Sequence, residues 1–147
     1  MPFVDTNILV YARDTSDPVK QARAAEIMAV LWRNRTGRLS AQVLQEYYVT
    51  VTRKLKPGLP LSEARQDVRD LMEWNPRQVG AGVLESAWEI EDRWQLSWWD
   101  SLIAAAALAC GTTILLSEDM QDGQIIHSLQ ILNPFSKEFD MRKLLTV

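Results

Sequence analysis

The sequence predicts an α/β domain layered around a mostly parallel sheet. Three observations carry that expectation. Helical patterns are separated by very short apolar strands. The alanine-rich segment 98–110 is apolar nearly all round, which suits a helix in the interior rather than on the surface. Two strand-like runs, ending at Val4 and Leu116, pass directly into acid-bearing polar turns, where parallel sheets place their sites. With 147 residues, 47% hydrophobic and 24% charged, the chain has the size and apolar content of one globular domain. No repeat or composition break divides it, so the expected unit spans residues 1–147.

Taken in order, Phe3–Val4 reads as a buried strand ending in the polar turn Asp5-Thr6-Asn7, with a brief helix over 8–12. Asp17 followed by Pro18 is a cap and a first-turn proline. The helix they start runs to about Arg35, with Gly37 as its expected stop. A short strand near Arg38–Leu39 leads to Ser40, the cap of a helix to about Leu55 on which Val43, Leu44, Tyr47 and Val51 share a face. The run Lys56-Pro57-Gly58-Leu59-Pro60 is a loop, and Ser62 and Glu63 open a helix to Met72. The stretch 74–79 contains a proline and reads as an edge strand with its turn. A helix over 83–94 follows, then the apolar helix capped by Ser97 and stopped by Gly111. The segment 112–116 is the clearest strand, 117–123 the polar loop behind it, and Ile131–Leu132 the last strand.

Composition excludes several chemistries. One cysteine, Cys110, and one histidine, His127, rule out an internal disulfide framework, a cysteine-rich metal site and a multi-histidine site within one chain. His127 has no nucleophile motif around it and reads as structural, and Cys110 reads as core. The opening MPFVDTNILVYARD has no basic leader before its apolar run, and the longest apolar run, 102–110, is far short of a membrane span. A cytoplasmic protein without a membrane partner is expected. The net charge of −3 hides an asymmetry: residues 1–60 carry nine Lys/Arg against five acids, and 61–147 seven against fourteen. Global acidity argues against a protein that coats nucleic acid, but not against a nuclease with a local basic rim around an acidic centre. Arg33, Arg35 and Arg38 form a basic cluster fit either for steering RNA or for ordinary solvation, and Arg13 is a candidate phosphate contact.

Four acids interrupt hydrophobic contexts: Asp5, Glu46, Asp100 and Asp119. A buried carboxylate is costly unless it is paired or bound to metal. Bases to pair them are scarce, since Arg53 and Lys54 lie two turns beyond Glu46 and segment 97–119 contains no Lys or Arg. Mg²⁺ and Mn²⁺ take carboxylate and water oxygens, and a metal so held activates water and stabilises charge on a phosphoryl group. The pattern points to metal-assisted phosphodiester hydrolysis. Simpler roles stay open for each acid: a turn cap for Asp5, capping with Ser97 for Asp100, a solvated place beside Tyr47 for Glu46 and an exposed loop for Asp119.

The segments VDTNIL, SAQVLQEYY, LSWWDSLIAAAA and LLSEDMQDG, in this order across essentially the whole chain, resemble the PIN-domain family. Within it they look most like the VapC-type ribonuclease toxins of bacterial toxin–antitoxin pairs. The resemblance implies a three-layer α/β/α domain whose central sheet has four to five short strands. It also implies an endoribonuclease using one or two Mg²⁺ or Mn²⁺ ions and leaving a 5′-phosphate and a 3′-hydroxyl. The partners it implies are an RNA substrate, an antitoxin protein that blocks the site and a second copy in a homodimer. Matched position by position, Asp5 and Asp100 correspond to the principal metal ligands, Glu46 to the helix-borne glutamate acting as ligand or base, and Asp119 to the fourth acid. Thr6 and Asn7 would orient Asp5 and position water, and Ser117 would contact the same network. Asp122 stands where the family often has a histidine, and so adds an acid to the rim.

Rival functions fare less well. A receiver-type domain needs an acidic pair near the first strand and a lysine in a late loop, and this chain has no lysine between Lys56 and Lys137. An aspartate-nucleophile phosphatase needs two aspartates one residue apart, and here Asn7 takes the second place. A catalytically weak RNA- or protein-binding scaffold, or a nuclease that is not a toxin, remains the alternative. Of Trp98 and Trp99, one is expected to pack inside and the other to face the groove, where it can stack on a base.

Overall fold

The computed structural model describes residues 1–145; the last two positions of the expected 1–147 unit lie outside the described residues. Strand β1 (Pro2–Val4) leads into helix α1 (Thr6–Tyr11), followed by α2 (Pro18–Asn34), α3 (Ala41–Val49), α4 (Leu61–Leu71), α5 (Ala81–Trp94) and α6 (Trp98–Ala109). Strand β2 (Ile114–Leu116) and the hairpin β3 (Ile125–Ile126) and β4 (Leu129–Leu132) complete the sheet. Its order is β1-β2-β4-β3, with β1, β2 and β4 parallel and β3 antiparallel on the edge. The central, mostly parallel four-stranded sheet flanked by helices is the architecture expected from the sequence.

The three parallel strands are short and almost wholly buried. Phe3, Val4, Leu115, Leu116, Ile131 and Leu132 are buried and form the middle of the core. Helix α6 lies against α5 and β4, with all seven residues from Ser101 to Ala107 buried. The small side chains of 104–107 let it sit close to its neighbours, while Leu102 and Ile103 fill the core one turn earlier. The caps read from the sequence are present. Asp17 accepts from the Lys20 amide at 3.2 Å, Ser40 from Val43 at 3.3 Å and Ser97 from Asp100 at 3.1 Å.

Several local expectations change. Helix α2 ends at Arg35, which takes the left-handed conformation (φ 55°), and not at Gly37. Gly37 serves packing instead, since a Cβ there would lie 2.3 Å from the Trp74 ring. The expected strand at 38–39 is reduced to one rung on the free edge of β1, with the Arg38 amide donating to Pro2 O and the Val4 amide to Arg38 O, both at 2.9 Å. The expected edge strand over 74–79 is a second rung, Ser40 with Arg77. The helix after Ser40 ends in a π-type turn over Thr50–Lys54. The expected last strand at Ile131–Leu132 is present as the end of β4, whereas β3, which makes it a hairpin, and a 3₁₀ turn over Met141–Leu144 carry no legible signal in the sequence. Cys110 is half-buried at the end of α6, and His127 occupies the β3–β4 turn at φ 53°, 2.8 Å from a Glu89 carboxylate oxygen. Among the described residues, no helix is long and apolar enough to cross a membrane.

Candidate active site

The parallel register builds the site. Val4 pairs with Leu116, so the residues that follow, Asp5 and Ser117, emerge side by side at the carboxyl ends of β1 and β2. The Asp5 amide donates to Leu116 O at 3.0 Å, and the Ser117 hydroxyl donates to Asp5 Oδ2 at 2.8 Å. Asp5 is also the N-cap of α1, its Oδ1 accepting from the Thr6 amide at 2.7 Å. Here the cap role and the site position coincide in one side chain. Asn7, one residue into α1 beyond Thr6, donates to Asp5 Oδ2 at 3.3 Å and to Asp119 Oδ2 at 3.1 Å. Its carbonyl oxygen accepts from the Glu118 amide at 3.2 Å, which fastens the loop after β2 to the start of α1.

Glu46 arrives from α3. Its Oε2 accepts from the Thr6 hydroxyl at 2.7 Å, and its Oε1 from the Gln42 side-chain amide, one turn earlier, at 2.8 Å. Asp100 stands in the first turn of α6, where its backbone amide is held by Ser97. Asp5, Glu46, Asp100 and Asp119 thus come from four separate segments, and their charges act on one another. Burial pushes the Asp5 carboxyl up to about 6; hydrogen bonds from Ser117 and Thr6 oppose this, and the negative charges of Asp119 and Glu46 add to it. Asp100 is also raised, first by burial, against the opposing Ser97 bond, and further by Asp119 and Glu46.

Among the described residues, no Lys or Arg forms an ion pair with any of these four acids. Nor is any group of three His, Cys, Asp or Glu side chains close enough to hold a metal ion. The carboxylates are instead separated by neutral donors: Ser117, Thr6 and Asn7 around Asp5, and Thr6 and Gln42 around Glu46. The chemistry of the set nevertheless suits a hard cation, because the available donors are oxygens and the buried carboxylate lacks a cationic partner. Gln42 adds a buried side-chain oxygen that accepts no hydrogen bond. Turning the amide over would aim that oxygen at Glu46, so its unmet acceptor is a consequence of the acid beside it.

These side chains border an open cleft of about 730 Å³, lined by Thr6, Asn7, Gln42, Glu46 and Asp119 together with Lys54 and Trp99. Trp99 is 61% exposed on its wall, while Trp98 is half-buried and stacked on Trp88 at 6.3 Å. Asp122 stands apart from the hydrogen-bonded network. It accepts from the Asn133 amide at 2.8 Å and ties the loop after β2 to the end of β4. Arg13 is taken up by Asp67, at 2.6 and 2.9 Å, and by Glu63 at 2.9 Å. Gln42 was not singled out from sequence, and Lys54 was read only as a distant base and not as part of the cleft. Their signal was spacing, one turn before and two turns after Glu46 on the same helical run. Glu118 was also missed; it accepts from the Tyr11 hydroxyl at 2.8 Å and pairs with Lys20 at 2.5 Å.

No curated protein matches the chain. A solved structure, VapBC2 from Rickettsia felis bound to a DNA fragment from their promoter, is similar in fold with a TM-score of 0.60. It is 20% identical, and the similarity covers 88% of this chain and 96% of that one. The sequence profile of the PIN domain matches residues 3–121, a span that runs from β1 into the loop after β2 and includes all four acids. The chain belongs to the PIN-domain family.

Proposed function

We propose that the protein is a divalent-metal-dependent endoribonuclease that hydrolyses RNA phosphodiester bonds, and that it is the toxin of a type II toxin–antitoxin pair. The observation that carries the reading is the hydrogen-bonded network in which Thr6, Asn7 and Ser117 tie Glu46, Asp119 and the buried Asp5 to one another beside the carboxyl ends of β1 and β2. Carboxylates held in that way are stabilised by a bound cation more than by any side chain around them. Asp5, Asp100, Glu46 and Asp119 would hold one or two Mg²⁺ or Mn²⁺ ions, exchanging hydrogen bonds from neutral donors for metal contacts. The ion supplies an activated water at neutral pH and positive charge beside the phosphoryl oxygens.

The remaining work falls to the chain itself. Thr6 holds Glu46 and Asn7 holds Asp119, so both acids are oriented before substrate arrives. Ser117 fixes the Asp5 carboxylate from the neighbouring strand. Trp99 offers an exposed ring on which an unpaired base can stack, and Lys54 offers a charge for the RNA backbone. Single-stranded or loop RNA is favoured by this open cleft with its exposed ring over a regular duplex, whose bases present no free face.

The fold shared with the VapBC2 complex supports an antitoxin partner for this chain, and an assembly with that partner on promoter DNA. A homodimer belongs to the same proposal. Expression of wild type and Asp5→Asn in bacteria, with mapping of new 5′-phosphate RNA ends, tests the enzyme. Cleavage at one or a few sites, absent from the variant, is expected. Identical end maps from two folded proteins would overturn the nuclease reading and leave a binding scaffold. Addition of EDTA to the purified protein should abolish RNA cleavage, and Mn²⁺ should restore it.

A further inference from the structure

We propose that a second cavity, at the far end of α6 from Asp100, is a nucleotide-binding site that stacks a base on Trp32 and holds its phosphate with Arg38 and Arg77. This cavity, of about 650 Å³, is within the usual size of small-molecule sites. The length of α6, twelve residues or about 18 Å, separates it from the acid cleft. It is lined by Arg35, Arg38 and Arg77 against a single carboxylate, Glu73, with Trp32 and Trp74 as its aromatic walls.

Three guanidiniums line one cavity, and among the described residues none of the three is in an ion pair; one Arg38 nitrogen donates to the Gly37 carbonyl at 2.8 Å. An anion would balance that excess of positive charge, and planar guanidiniums match phosphate oxygens in pairs. The field reaches neighbouring groups: after burial, Arg38 is the second cause that lowers the Met1 amino group, and Arg77 and Arg38 oppose the rise that burial gives the Cys110 thiol.

The backbones that carry the cations are fixed in advance. Arg38 is bonded on both sides to β1, through Pro2 O and the Val4 amide, each at 2.9 Å. Arg77 is bonded likewise to its neighbours, its amide to Leu39 O at 3.0 Å and its carbonyl to the Ala41 amide at 2.9 Å. The aromatic wall is equally supported. Trp74 lies buried over Gly37, where any Cβ would collide with it, and Trp32 stands 6.0 Å away at 34° with 46% of its surface exposed. An exposed ring backed by a buried one, beside clustered guanidiniums, recognises the two ends of a nucleotide at once. The source is either a free nucleoside monophosphate or a nucleotide within an RNA strand.

The test uses the full chain in EDTA, so that binding at the acid cleft through metal is removed, with AMP and a short 5′-phosphorylated single-stranded RNA as probes. Calorimetry should give an AMP dissociation constant on the order of 0.1–1 mM. Arg38→Gln and Arg77→Gln should each weaken it about tenfold. Trp32→Leu should bring AMP down to the affinity of inorganic phosphate. In ¹⁵N-indole spectra the Trp32 resonance, identified by its loss in Trp32→Leu, should move on addition of AMP while that of Trp99 stays. RNA bound more tightly than AMP, with the same variants weakening it, assigns the site to a strand; equal affinity assigns it to the free nucleotide. No binding of either probe, binding indifferent to both arginine variants, or movement of Trp99 in place of Trp32 overturns the proposal. These readouts are independent of cleavage, so failure here leaves the nuclease reading untouched, and the reverse.

Discussion

Asn7 in α1 donates its side-chain amide to Asp119 at 3.1 Å, across 112 residues of sequence. The same nitrogen lies 3.3 Å from Asp5 Oδ2, so one neutral donor stands between two carboxylates that would otherwise face each other. Asn7→Ala removes that donor and also the acceptor of the Glu118 amide. A loss of about 1 kcal/mol in stability is expected, together with faster hydrogen exchange at Glu118. Urea unfolding and exchange measured by NMR check both.

Asp5 gives a pH dependence of definite sign. Its carboxyl stands at about 6 in the folded protein against 3.8 ordinarily, so the folded state binds this proton more tightly than the unfolded state. Its contribution is therefore full below the unfolded value and is lost as pH rises through about 6, a change on the order of 3 kcal/mol. The metal-free protein should become less stable over that window, as followed by urea midpoints in EDTA. Mn²⁺ should recover stability near neutral pH and have little effect at acid pH, where Asp5 is protonated.

The same burial makes Asp5→Asn informative. The amide keeps an oxygen for the Thr6 amide and removes a buried charge. Near neutral pH in EDTA the variant should be more stable than wild type by about 1–3 kcal/mol, while RNA cleavage is lost. Thermal melts beside a cleavage assay would show the two effects moving in opposite directions.

Trp99→Ala separates substrate binding from folding. With its ring largely exposed, the substitution should leave the melting temperature unchanged. RNA affinity should fall by about 1–3 kcal/mol if one base stacks there, seen as a raised KM at constant kcat. A reduced kcat with unaltered KM would count against a stacking role.

Gly37→Ala tests packing at the other end of the molecule. A Cβ there lies 2.3 Å from two Trp74 ring carbons, so the indole must move. A cost of about 1–3 kcal/mol is expected, with an altered near-ultraviolet circular dichroism from the Trp32–Trp74 pair.

Tyr47→Phe probes the network that takes up Arg13. The Tyr47 hydroxyl donates to Asp67 Oδ2 at 2.5 Å, and burial, then that hydrogen bond, raises its phenol. Since Arg13 continues to pair both Asp67 oxygens, the loss should stay near 1 kcal/mol, measurable by urea unfolding.

The local code of this chain was written in its sequence. Asp17-Pro18, Ser40 and Ser97 fixed helix starts because a side-chain oxygen within three residues of an open amide needs no tertiary partner. The burial of 101–107 followed from an uninterrupted apolar run, and the four acids stood out because each broke such a context. Other features depended on distance in space. Gly37 looked like a helix stop and became the floor beneath Trp74, a residue 37 positions later, because only the folded chain brings that ring over it. Arg13 looked like a free phosphate contact and met Asp67 on α4. Strand β3 escaped notice because two residues are too few to show alternation, and only their pairing with β4 makes them a strand. The sequence by itself picked out four acids in apolar contexts, of which the fold buries Asp5, half-buries Glu46 and Asp100 and leaves Asp119 exposed. Tertiary structure decided that Asp5 meets Ser117, Glu46 meets Thr6 and Asp119 meets Asn7, because the register of β1 on β2 and the docking of α3 are set by packing between residues far apart in the chain.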